Sequence, residues 1–214
     1  MIYDEPFLCY FLANMDISRR TFVKNTSGKL ALGLAGAGAA LQLTAGAQQA
    51  SNLATPIPQN PSQSVTTPGH ISDILQVPPG NTLFVHAYGR GVQKYTCPVT
   101  PTSPAVPHAI LLAGNRSEGN LVAIHFAGPT WQALDGSSVL GNAAKATHFP
   151  APDPDGVDWL LIPAQSTSGN GLLSKVTYIQ RLYTDGGKPP ASCSLNQTEV
   201  VVEYSAQYFF YQQG

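Results

Sequence analysis

Charge is scarce in this chain: 11 Lys and Arg and 12 Asp and Glu are spread over 214 residues. The basic residues form no stripe, which argues against nucleic-acid binding. Signatures of common chemistries are also missing. There is no G-x-S-x-G nucleophile elbow and no G-x-x-x-x-G-K-[ST] phosphate loop, so the hydrolase and nucleotide-binding folds that need them are excluded. Gly89-Arg90-Gly91 lacks the third glycine and the following helix of a dinucleotide fingerprint. Histidines 70, 86, 108, 125 and 148 are scattered, with no H-x-H or H-E-x-x-H, and the cysteines form no C-x-x-C. Asp153-Pro154-Asp155-Gly156-Val157-Asp158 has the wrong register for a calcium loop, and reads as a Pro/Gly turn with solvated acids. Helical periodicity is scarce throughout.

What is present begins with an address. Ser18-Arg19-Arg20-Thr21-Phe22-Val23-Lys24 has the pattern of a twin-arginine export signal. The basic region (Arg19, Arg20, Lys24, Lys29) precedes a weakly apolar run, Leu30–Leu43, and then the small-residue cleavage pattern Ala45-Gly46-Ala47. The run is shorter than the roughly 20 apolar residues that span a bilayer, so no membrane anchor is expected after cleavage. The expectation is a signal peptide over residues 15–47, a mature chain starting at Gln48, and a periplasmic or extracellular location. The twin-arginine translocase is the expected export partner; it carries folded chains, often with a cofactor loaded, but the pattern identifies no cofactor. Phe7, Leu8, Tyr10, Phe11 and Leu12 are too apolar for a region ahead of the arginines. Residues 1–14 therefore read as an extension upstream of a true start at Met15.

From residue 48 onward, nine acidic residues face seven basic ones, and Gly, Pro, Ser, Thr and Tyr are plentiful. That composition suits an exported β-rich protein. Cys9 lies in the upstream extension, which leaves Cys97 and Cys193. In an oxidising compartment this pair suggests one disulfide, closing a loop of roughly 95 residues and contributing about 3–5 kcal/mol. Two buried free thiols or a metal pair are the alternatives.

Residues 48–68 read as a linker or surface arm, and residues 69–214 as a single domain. Short alternating runs bounded by turn residues predict strands over Thr82–Tyr88, Gly91–Cys97, Leu121–Ala127, Thr130–Leu134, Trp159–Ala164, Lys175–Tyr183 and Glu199–Tyr211. Val106–Leu112 reads as a strand or one helical turn. Turns are expected at Pro78-Pro79-Gly80-Asn81, Asp135-Gly136 and Asp185-Gly186-Gly187, and Tyr88-Gly89-Arg90-Gly91 reads as a hairpin connection. Ser166-Thr167-Ser168-Gly169-Asn170-Gly171 reads as a flexible loop. The last strand alternates Val200, Val202, Tyr204, Ala206, Tyr208, Phe210, which predicts one core face. The fold class is all-β, an antiparallel sandwich or barrel of short strands.

The densest candidate site is His125-Phe126-Ala127-Gly128-Pro129-Thr130-Trp131 with Asp135 following. Trp131 could stack on a sugar, Asp135 could accept hydroxyl protons, and His125 could act as a base or metal ligand. The bland reading is a hydrogen-bonded core histidine, a core tryptophan and an aspartate capping its own turn. His86, with Arg90, Gln93 and Tyr95, forms a second candidate group.

Several segments together resemble the domain of unknown function 3455 family: Gly91–Cys97, His125–Trp131, Asp135-Gly136-Ser137, Trp159-Leu160-Leu161, Val176–Leu182, Asp185-Gly186-Gly187, Pro190, Cys193 and Tyr204–Tyr211. The resemblance covers nearly all of 74–211. It implies a β-rich secreted protein of the kind found in bacteria and filamentous fungi, with a cysteine pair matching Cys97 and Cys193. It implies no activity. Some fungal members carry a malate dehydrogenase label, against which this chain's missing nicotinamide fingerprint and missing α/β alternation argue. Where the family often has an aromatic residue and a Pro-Glu-Ala stretch, this chain has Pro107-His108-Ala109.

The favoured expectation is a non-enzymatic protein that binds a carbohydrate or other small polar ligand. A cofactor- or metal-assisted hydrolase or oxidoreductase centred on His125 and Asp135, and a structural or interaction protein of the cell envelope, are the competing readings.

Overall fold

The computed structural model describes residues 67–115 and 117–214. The expected upstream extension, export signal and most of the arm lie outside the described residues.

Nine antiparallel strands form among the described residues: β1 (Asn81–Thr96), β2 (Val106–Ala113), β3 (Leu121–Phe126), β4 (Thr130–Ala133), β5 (Ser138–Gly141), β6 (Thr147–Phe149), β7 (Trp159–Ser168), β8 (Val176–Gly186) and β9 (Glu199–Gln213). The sheet order is β5-β4-β3-β2-β1-β9-β8-β7-β6, and β5 also pairs with β7. That extra pairing closes eight strands into a barrel, while β6 lies on the other half of β7. Closure leaves the eight strands without a free edge.

The alternation predicted for β9 sets the interior. Tyr204, Ala206, Tyr208 and Phe210 face inward and join one core with Ala87, Ala109, Leu111, Ala123, Trp131, Ala133, Val139 and Ile179. Large rings from β9 and β4 share this core with small residues of β1 to β3, which suits the narrow interior of a small barrel. Phe209 and Tyr211 face outward, yet they too are buried. They pack with Ile71, Leu75, Trp159, Leu161 and Leu182 in a second cluster under the segment ahead of β1. Gln180 is buried there, donating to the Leu75 carbonyl at 2.7 Å and accepting from the Tyr211 hydroxyl at 2.8 Å.

Three local expectations are corrected. Gly89 and Gly91 make no hairpin turn; β1 runs straight through them. A Cβ on Gly89 would sit 2.5 Å from the Tyr208 ring, and one on Gly91 would sit 2.1 Å from the His108 carbonyl oxygen. The glycines permit close packing inside the barrel rather than chain reversal. Ser166–Ser168 is not a loop either: it pairs with β5 and closes the barrel, and the chain reverses after it. Asp185 and Gly186 remain paired to β9 beyond an irregularity at Tyr183, whose φ is 51°. The turn at Asp135-Gly136 forms as expected, with Gly136 at φ 84°. Val106–Leu112 falls within strand β2.

Cys97 and Cys193 are joined in a disulfide. It ties the end of β1 to the chain leading into β9, where the Cys97 amide also donates to the Thr198 carbonyl. No helix among the described residues is long and apolar enough to cross a membrane.

Candidate ligand site at the barrel mouth

The strand directions put one set of strand ends together: the end of β1, the start of β2, the end of β3, the start of β4, the start of β7 and the end of β8. The cavity opens there, with a volume of about 970 Å³. Its walls are Gln93 and Tyr95 of β1, His125 of β3, Trp131 of β4, Leu160 and Ile162 of β7, and Arg181 of β8. The Pro101–Ala105 and Pro189–Ala191 segments form part of the rim, on the two chain stretches that the disulfide joins. The opposite end is closed. Leu173 is buried there, its amide donating to Ser137 Oγ at 3.0 Å.

Four of the seven candidate residues meet at this mouth. Gln93 is 1% exposed, and neither its amide nitrogen nor its amide oxygen has a hydrogen-bond partner. A primary amide without partners in a protein interior is uncommon and costly, and calls for an explanation. Tyr95 donates to the Gly187 carbonyl. Burial pushes its phenol up to about 12, against a smaller opposing pull from Arg181. His125 is 3% exposed; its Nδ1 lies 2.9 Å from the Thr130 carbonyl, so Nδ1 carries the proton. Burial drives its pKa down to about 3, so the ring is neutral. Trp131 stacks flat on His125, with centroids 4.3 Å apart, and meets Tyr208 and Phe210 edge-on. Its faces are taken up by protein, so the expected sugar platform is not on offer. The indole Nε1 is buried and unpartnered instead.

The other three candidates lie elsewhere. His86 is on the outward face of β1, stacked on Phe209 and 2.8 Å from Gln207 Oε1. Arg90 shares that outward parity and does not line the cavity. Asp135 sits past the far end of β4. Its Oδ1 accepts from Ser137 N at 2.9 Å and Ser137 Oγ at 2.6 Å, and its Oδ2 accepts from Leu172 N at 2.7 Å. Those bonds, the Ser137 hydroxyl first, hold its carboxyl below the usual range. Asp135 therefore braces the turn after β4 and the chain at Leu172, and no hydrogen bond joins it to His125 among the described residues.

Sequence reasoning missed Arg181. It faces Leu160 and Tyr208 across the sheet and points inward with them. Nε and Nη2 both donate to the Asp158 carbonyl, at 3.1 and 2.8 Å. The available signal was a single cation inside the apolar strand Val176–Leu182. At the rim, His148 Nδ1 lies 3.3 Å from Asp158 Oδ2, and Lys188 Nζ donates to the Pro154 carbonyl at 2.6 Å. No group of three or more His, Cys, Asp or Glu side chains suited to a metal ion occurs among the described residues.

Residues 108–212 match the family model described as "Protein of unknown function (DUF3455)". No curated protein and no solved structure matches the chain.

Proposed function

Since the chain belongs to the DUF3455 family, whose description names no activity, we propose a function from the barrel itself: a binding protein that takes a carbohydrate or other small polar ligand into the open mouth. The observation that carries this reading is Gln93. Its amide is almost wholly buried, it lines the cavity, and both of its polar atoms are free of protein partners. A ligand that both donates and accepts hydrogen bonds would satisfy it. The Trp131 Nε1–H, likewise buried and unpartnered on a residue that lines the cavity, supports the same reading. A mostly apolar cleft with a few convergent polar groups is the usual form of a small-molecule site.

The binding reading is preferred to an enzyme centred on His125 and Asp135, because Asp135 accepts hydrogen bonds from Ser137 and Leu172. A histidine held neutral to about pH 3 is also poorly matched to proton transfer near neutrality. The proposed site of action is outside the cytoplasm. The Arg19-Arg20 signal pattern and the Cys97–Cys193 disulfide support it.

The test is a thermal-shift screen of small polar compounds, followed by NMR mapping of the hits. Saturation at about 100 times Kd should stabilise the fold by about 2.7 kcal/mol, with shifts at Gln93, Tyr95, His125 and Trp131. A library that leaves the melting temperature unchanged, or hits that map away from the mouth, would defeat the proposal.

A further inference from the structure

Arg181 narrows the ligand class. Its side chain faces the barrel interior among three tyrosines, and it lines the cavity. The two ion pairs among the described residues are Lys94–Glu199 and His148–Asp158, and neither includes Arg181. Its direct protein acceptor from Nε and Nη2 is one neutral carbonyl, that of Asp158. The surrounding phenols do not neutralise it. Burial raises the pKa of Tyr95 to about 12 and raises those of Tyr204 and Tyr208 as well, so all three keep their protons. A guanidinium cannot shed its charge by deprotonation. The mouth therefore holds a fixed positive charge, oriented by two hydrogen bonds to the Asp158 carbonyl and one with the Tyr208 hydroxyl, with no carboxylate ion-paired to it among the described residues. Lys188 adds a second cation at the rim.

Resting on the ligand-binding reading above, we propose that the ligand is a small hydroxylated carboxylate, of the sugar-acid or hydroxy-acid class. Its carboxylate is received by Arg181 and its hydroxyl groups by the Gln93 amide. The planar fork of arginine matches a planar carboxylate, and the pairing is strengthened by a partly desolvated wall. Gln93 supplies one acceptor and two donors, all unpartnered, which suits hydroxyl groups that do both. A doubly charged phosphate fits less well. The cavity has one inward cation, and Lys188 at the rim already donates to the Pro154 carbonyl.

The experiment titrates the full chain, with its disulfide intact, against glucuronate, glucose and glucose 6-phosphate, read by NMR shifts at the mouth. Glucuronate should bind tighter than glucose by about tenfold or more. Arg181→Gln should remove that preference, bringing glucuronate affinity down to that of glucose. Arg181→Lys keeps the charge without the fork and should lose about tenfold, which guards against misfolding of the first variant. Gln93→Met should weaken both sugars alike. Equal binding of glucose and glucuronate, preference for the phosphate, or full glucuronate affinity in Arg181→Gln would each overturn the carboxylate assignment while leaving a mouth-bound ligand in place. Silence from all three probes would also overturn it. The binding reading itself falls only if the wider screen is silent as well.

Discussion

Gln93→Met separates a residue kept for binding from one kept for the fold. In the wild-type barrel the amide is 1% exposed, and both polar atoms lack partners. Mutational data put the cost of a buried, unpaired polar group at about 1–3 kcal/mol. Methionine has nearly the same length and volume, so its repacking cost should stay below about 1.5 kcal/mol. The net effect should be a gain of about 1–2 kcal/mol. For a domain of this size each 1 kcal/mol moves the melting temperature by about 2–4 °C, so a rise of about 2–8 °C is expected. Thermal and urea unfolding with the disulfide intact would measure it, the urea slope staying unchanged if only native-state packing is altered. Ligand binding should weaken in the same variant, the usual opposition between stability and a functional polar group. A melting temperature that stays the same or falls would refute the reasoning, because it would mean that Gln93 is satisfied within the protein.

Gly91→Ala should destabilise by about 3 kcal/mol, read by urea unfolding, because a Cβ there meets backbone of β2 rather than a movable side chain. His125 makes stability depend on pH. Its folded pKa of about 3 lies below the unfolded value of 6.5, so between these values the unfolded chain binds a proton that the folded chain refuses. Stability should fall on acidification through that window, by up to about 1.4 kcal/mol per pH unit, and His125→Asn should flatten the urea midpoints measured between about pH 4 and 7. Burial lowers His86 and His108 in the same direction, so a residual slope should remain in that variant. Asp135→Ala removes three hydrogen bonds at the closed end. It should cost about 1–2 kcal/mol in unfolding experiments and leave ligand affinity unaltered.

The barrel's strands were legible where period-two alternation ran long enough to read. In β9 the series Tyr204, Ala206, Tyr208, Phe210 named the inward face correctly. β5 and β6, at 4 and 3 residues, were too short to show a period. Ser166–Ser168 has loop composition, and became a strand because β5 needed a partner. Gly89 and Gly91 show the limit of local rules most plainly. A glycine wanted for positive φ and one wanted for the absence of a Cβ look identical in sequence.

By itself, the sequence determined the all-β class, the inward face of β9, the cysteines available to pair and the family resemblance. These follow from short-range alternation, turn residues and composition, which need no knowledge of distant contacts. The tertiary structure decided which residues share a site. Gln93, Tyr95, His125, Trp131 and Arg181 come from four strands spread over some 90 residues, and only barrel closure brings them to one mouth. Strand parity and strand direction together sent His86 and Arg90 to the outer face and Asp135 to the closed end. Parity can be read along one strand, but which end of a strand meets which depends on the pairing of the whole sheet.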